Sequence, residues 1–79
     1  MRYETATTLE PDQALAAAER FFSGQFGLAT RRLGPRAIGF EGGGGHVVVA
    51  VKGEQPTTLD LRTREWDAPV QEFVQQLPR

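Results

Sequence analysis

The stretch EGGGGH, Glu41 to His46, sets four consecutive glycines beside the only histidine of the chain. Glycine-rich loops cradle phosphate when their backbone N–H groups converge, and an imidazole titrating near neutrality serves as base or ligand. The neighbouring residues complete neither chemistry. A Walker A loop needs a lysine and a hydroxyl residue after its last glycine, and GGGGHV supplies neither. A dinucleotide fingerprint needs a strand before its glycines and a helix after them, whereas the β-patterned run HVVVAVK follows here. Gly42–Gly45 therefore reads as a hairpin connection using positive φ, with a mobile loop that orders on a partner as the alternative.

His46 lacks a positioned partner. Glu41 is the one carboxylate near it across the turn, there is no cysteine, and the single serine, Ser23, falls at the far end of a helix. General acid–base and nucleophilic catalysis both require an adjacent oriented group, and a metal centre requires three or four ligands. His46 reads as a structural or solvated side chain, in a chain with no catalytic residue, no metal and no cofactor.

The cations offer a different kind of chemistry. Eight of the nine are arginine, the side chain best suited to bidentate pairing with carboxylate or phosphate. In TTLDLRTRE, Leu59 and Leu61 alternate with Asp60, Arg62 and Arg64, so the charged set shares one sheet face. Lys52 and either Arg31 or Arg32 join that face if the register permits. Glu4, Glu41 and Asp60 fall on the same surface, where opposed charges on neighbouring strands pair with one another. Nucleic-acid binding through the Arg62/Arg64 face is an alternative function, although a net charge of -1 and the lack of an outward aromatic weigh against it. Val48 and Ala50 interrupt the polar face, with Ala6, Ala29 and Gly39 as neighbours. Such a patch suits self-association or another protein partner. His46, Val48, Ala50, Lys52, Arg62 and Arg64 thus form one candidate interaction surface. A second candidate is a groove between two helices, walled by Trp66, Phe22 and Phe73, that would take an apolar or lipid-like ligand.

The elements that would position these residues follow from periodicity. RYETATT alternates loosely and reads as a first strand. In EPDQALAAAERFFSG, Pro11 suits the first helical position, Glu10 is a poor capping type, and Gly24 marks a stop. Ala14, Leu15, Ala18, Phe21 and Phe22 form its apolar stripe; one of the two adjacent phenylalanines would leave a narrow stripe, and the reading is that both flank the core on a broadly buried helix. LATRRL, RAIGFE, HVVVAVK and TTLDLRTRE then read as four strands in a meander, divided by Gly34-Pro35, the glycine run and GEQP. The last segment, WDAPVQEFVQQLPR, places Val70, Phe73, Val74 and Leu77 at i, i+3, i+4 and i+7. Asp67 is its expected cap, Trp66 should fold back on the stripe, and Pro78 should end it.

This order, β-α-β-β-β-β-α, predicts an α+β fold. A five-stranded antiparallel sheet of order 1-5-4-3-2 would carry two helices on one face. Residues 1–79 suit one small domain with a modest core. The chain starts MRYETATTLEP, without the apolar segment of a leader, and no run reaches the roughly 18 apolar residues of a membrane span. A cytoplasmic setting is expected. In element order the chain resembles one repeat of the TATA-box-binding-protein-like (TBP-like) fold, a shortened helix-grip domain, or the small bacterial domains of that shape. That resemblance implies the sheet-and-helix layout and no particular site residue.

Overall fold

The computed structural model describes residues 1–79, Met1 to Arg79. Strand β1 (Arg2–Thr7) is followed by helix α1 (Pro11–Glu19), which runs directly into a π-helical segment (Arg20–Gln25). The meander is β2 (Ala29–Gly34), β3 (Ala37–Gly42), β4 (Gly45–Gly53) and β5 (Thr57–Arg64), and helix α2 (Asp67–Gln76) closes the chain. All neighbouring strands are antiparallel and the sheet order is β1-β5-β4-β3-β2. Both helices cover one face, as the alternating strands and the one-sided helical stripes require.

The core lies between that face and the helices. Ile38 and Phe40 of β3, Val47 and Val49 of β4, and Leu59 and Leu61 of β5 meet Ala14, Leu15 and Ala18 of α1 and Val70 and Phe73 of α2. Phe22, Phe40 and Phe73 are among the largest fully buried side chains, each contributing roughly 1.5–3 kcal/mol of burial. Their rings meet at centroid distances of 5.2 Å for Phe22–Phe40 and 5.3 Å for Phe22–Phe73, in tilted arrangements. Alanines at 14 and 18 are wholly buried. Their small side chains let α1 sit close on the sheet.

The helix ends depart from their sequence signals in three places. Gly24 does not stop the first helix. The backbone passes through it in the π-helical segment and turns at Gly27, whose φ is 69°. There the Gly27 N–H donates to the Ser23 carbonyl at 3.0 Å and the Leu28 N–H to the Phe22 carbonyl at 3.1 Å, satisfying carbonyls that a helix end would otherwise leave bare. Within the π turn, Phe21 and Phe22 both reach the core, edge to face with centroids 5.0 Å apart. Glu10 proves a working N-cap, because its N–H donates to Gln13 Oε1 at 2.9 Å, one half of a capping box. In α2 the cap is Trp66 and not Asp67. Asp67 occupies the first turn, where its carboxylate suits the positive helix end and accepts a 3.0 Å bond from the Tyr3 hydroxyl.

The glycine run is a two-residue hairpin. Gly43 and Gly44 have φ of 59° and 79°, the positive pair of a type I′ turn, while Gly42 and Gly45 are paired across the ladder. The two outer glycines serve packing. A Cβ on Gly45 would overlap the Arg64 carbonyl and approach Trp66 Cδ1 to 2.9 Å, and one on Gly42 would lie 2.7 Å from Leu28 Cδ2. The Trp66 indole, expected against the α2 stripe, lies across this hairpin. It donates from Nε1 to the Gly42 carbonyl at 2.9 Å and meets Phe26 edge on at 5.7 Å.

Candidate functional site

Register decides which side chains share the helix-free face of the sheet. β4 and β5 pair His46 with Arg64, Val48 with Arg62 and Ala50 with Asp60. β3 and β4 pair Glu41 with His46, Gly39 with Val48 and Ala37 with Ala50. β2 adds Ala29 opposite Glu41 and Arg31 opposite Gly39, and β1 adds Arg2 opposite Arg62 and Glu4 opposite Asp60. The six residues of the candidate interaction surface, His46, Val48, Ala50, Lys52, Arg62 and Arg64, are therefore brought onto one side. Arg31 joins them and Arg32 does not. Arg32 is set opposite the buried Ile38, and its guanidinium folds along the edge to donate to the Gly34 and Pro35 carbonyls, both at 2.9 Å.

Two features of this face lie outside the candidate residues singled out from the sequence. The first is Leu33. A register shift between Arg32 and Gly34 leaves Leu33 over Gly39, with Cδ1 only 3.2 Å from the place a Cβ there would take. Leu33 is 50% exposed, the one large apolar side chain this face shows to solvent. With Gly39 and Val48 it floors a shallow depression of about 210 Å³, rimmed by Arg31, Glu41 and His46. The alternation Ala29, Arg31, Leu33 is the signal that places it.

The second is Asp60, which is 3% exposed although no helix covers it. Its cover is a clasp of two arginines. Arg2 Nε donates to Oδ1 at 2.6 Å and Arg62 Nε to Oδ2 at 3.3 Å, while Arg2 Nη2 reaches Glu4 at 3.2 Å. Burial pushes the Asp60 carboxyl up, but the Arg2 hydrogen bond and the charges of Arg2, Arg62 and Lys52 together outweigh it and hold the group below its ordinary value. The Arg2 guanidinium is raised by the same hydrogen bond and by the charges of Asp60 and Glu4. Arg2 lies two residues before Glu4 on an alternating strand, which places it on this face. Its pairing with Asp60 depends on a contact between the two ends of the chain.

The charges are unevenly spread over the molecule. The helix-free face holds five cations (Arg2, Arg31, Lys52, Arg62, Arg64) against three carboxylates (Glu4, Glu41, Asp60), a net of +2. The whole chain is -1, so the remaining surface is -3. Of the five cations, Arg2 and Arg62 are committed to carboxylates; Arg31, Lys52 and Arg64 pair with none.

The second candidate site is not assembled. Phe22 and Phe73 have no exposed surface, so they are core and not groove walls, and the Trp66 indole rests on the glycine hairpin. His46 is exposed and stands between Glu41 and Arg64, with no ion pair to Glu41. No three potential metal-ligating side chains cluster anywhere in the fold, and no helix is long and apolar enough to cross a membrane. The helix-free face thus sets an apolar floor of Leu33, Gly39 and Val48 beside the unpaired guanidinium groups of Arg31 and Arg64. Compared with known proteins, the chain matches no protein-family model and no curated protein.

Proposed function

We propose that this chain is a small non-catalytic domain that works through protein–protein contacts made by the helix-free face of its sheet. The observation behind this reading is the half-exposed Leu33 of the edge strand β2, which lies over Gly39 and beside Val48 on a charged face. Interfaces characteristically have an apolar centre within a polar rim rich in arginine. Lipid-like ligand binding finds no walls beside Trp66, and a nucleic-acid surface would want outward aromatics and a stronger positive balance. The partner is a second copy or a different protein, in a cytoplasmic setting. From the element order we also propose kinship in fold, not in activity, with TBP-like repeats and helix-grip domains.

Site-specific photo-crosslinking tests the reading. A crosslinker at position 48, in the cells the protein comes from, should trap protein adducts. The same group at Gln75, exposed on α2, should trap none. Adducts at position 75 alone, or only nucleic acid at position 48, would remove the proposal.

A further inference from the structure

Resting on that reading, we infer that the occupant of the helix-free face is an acidic amphipathic helix of another protein and not a second copy of this chain. Three observations converge. The first is shape. The apolar strip crosses β2, β3 and β4 through Leu33, Gly39 and Val48, with Ala37 and Ala50 alongside. Strands stand roughly 4.8 Å apart, so three of them make a band about as wide as one helix, roughly 10–12 Å across. An open sheet face is most simply completed by a helix laid on it, as α1 and α2 do on the other side.

The second is the placement of charge. Arg31 stands beside Leu33 on β2, the outer edge of the strip, and Arg62 and Arg64 stand beyond Val48 on β5. Lys52 lies near one end, and Glu41 is the one unpaired carboxylate at the strip. A helix whose apolar stripe is flanked on both sides by glutamate or aspartate presents the matching pattern. Arg31, Lys52 and Arg64 have no carboxylate of their own to give up, so pairing with a partner breaks no internal bond. Long cationic side chains in this setting also cover apolar surface with their stems.

The third is what the charge excludes. Two copies meeting face to face would oppose +2 with +2, and like-charge juxtaposition selects against such pairing. A copy docking its acidic helices on the neighbour's sheet would form a head-to-tail contact that leaves each end open and grows without closing. Nucleic acid shares the anionic character but offers no apolar stripe for Leu33.

The inference is tested by titrating the intact ¹⁵N-labelled domain with defined probes and following its amide signals. The main probe is a helical peptide of about 18 residues, long enough to form a helix, with leucine and alanine on one face and glutamate flanking it. Controls are its lysine counterpart, a scrambled glutamate peptide of the same composition, and an oligothymidine of about 20 nucleotides. The acidic amphipathic peptide should shift the amides around Arg31, Leu33, Val48 and Arg64. Its affinity should weaken at least fivefold between low and high salt, since exposed charges are screened over roughly 10 Å or less. Arg31→Glu with Arg64→Glu should weaken it at least tenfold while the thermal midpoint is unchanged, and Leu33→Asp should do the same independently. No shifts at millimolar peptide, equal binding of the lysine or scrambled peptide, or shifts confined to α1 and α2 would overturn the inference. Sedimentation of the domain alone separates the two levels of the account. Concentration-dependent self-association through Val48 would overturn the acidic-partner inference and leave the protein-contact reading standing. Oligothymidine binding at the same face, tighter than any peptide, would remove both.

Discussion

Gly45→Ala separates two reasons for a glycine, and the structure predicts a large effect for an unusual cause. Gly45 is not at positive φ, so conformational freedom does not require it. Its lack of a side chain does: a Cβ would overlap the Arg64 carbonyl and stand 2.7 Å from Glu65 Cβ and 2.9 Å from Trp66 Cδ1. One of these obstacles is backbone in the neighbouring strand, and the indole is held by its bond to Gly42, so neither gives way cheaply. Overpacking of this kind costs about 1–3 kcal/mol and occasionally more. A chain of 79 residues has roughly 4–12 kcal/mol of stability in total, so the loss is a large share of it. With a urea dependence of about 1 kcal/mol per molar, the midpoint should fall by roughly 1–3 M. Gly44→Ala is the internal control. Its Cβ would enter open space but at φ 79°, costing about 1–2 kcal/mol, and Gly44→Asn should recover most of that because asparagine tolerates this region. Urea unfolding followed by the fluorescence of the single tryptophan, which sits on the hairpin, gives both values. A Gly45→Ala midpoint equal to that of the unaltered chain, or a Gly44→Ala loss exceeding it, would refute the packing account of the glycine run.

Three further outcomes follow from the same geometry. Asp60→Asn should destabilise the fold at neutral pH by about 1–3 kcal/mol, the cost of breaking a charge-assisted bond and leaving arginine unpaired. Because the folded carboxyl is held below its ordinary value, its contribution is present above pH of about 4 and is lost as pH falls through the lower folded value. Urea midpoints of the two proteins should therefore converge on acidification, and a gap that widened at low pH would contradict this. Phe22→Ala, in the π-helical turn, should cost about 3–5 kcal/mol by thermal unfolding, and a loss under 1 kcal/mol would show that this turn is not packed as described. Leu33→Asp should leave the unfolding free energy within about 0.5 kcal/mol of that of the unaltered chain, since Leu33 is half exposed. A larger loss would make Leu33 a structural residue and weaken its assignment to recognition.

What could be read from the sequence was whatever local periodicity encodes. The face of every residue in β3, β4 and β5 follows from alternation, and the α2 stripe from its spacing, because a one-residue slip would expose Val47, Val49, Leu59 and Leu61 together. The sheet order follows from short turns and one helical crossover. The remainder depends on contacts distant in sequence. The clasp on Asp60 needs Arg2, 58 residues away, and no local pattern announces it. Trp66 is placed by a hairpin more than twenty residues earlier, where two glycines flanking the turn leave room for an indole. The π-helical turn likewise has no local signature: its adjacent phenylalanines both reach the core, but so do the adjacent Ala14 and Leu15 of the ordinary helix α1. In the candidate surface the arginine and valine positions were legible, but not the choice between Arg31 and Arg32, nor the register shift that lays Leu33 on Gly39.

The most direct test of the central claim is cross-saturation in the complex recovered through position 48, with the partner irradiated and the deuterated, ¹⁵N-labelled domain observed. The account predicts intensity losses at the amides of Arg31, Leu33, Val48 and Arg62, on the helix-free face, with α1 and α2 unaffected. Losses concentrated on α1 or α2, with Val48 and Arg62 untouched, would contradict it.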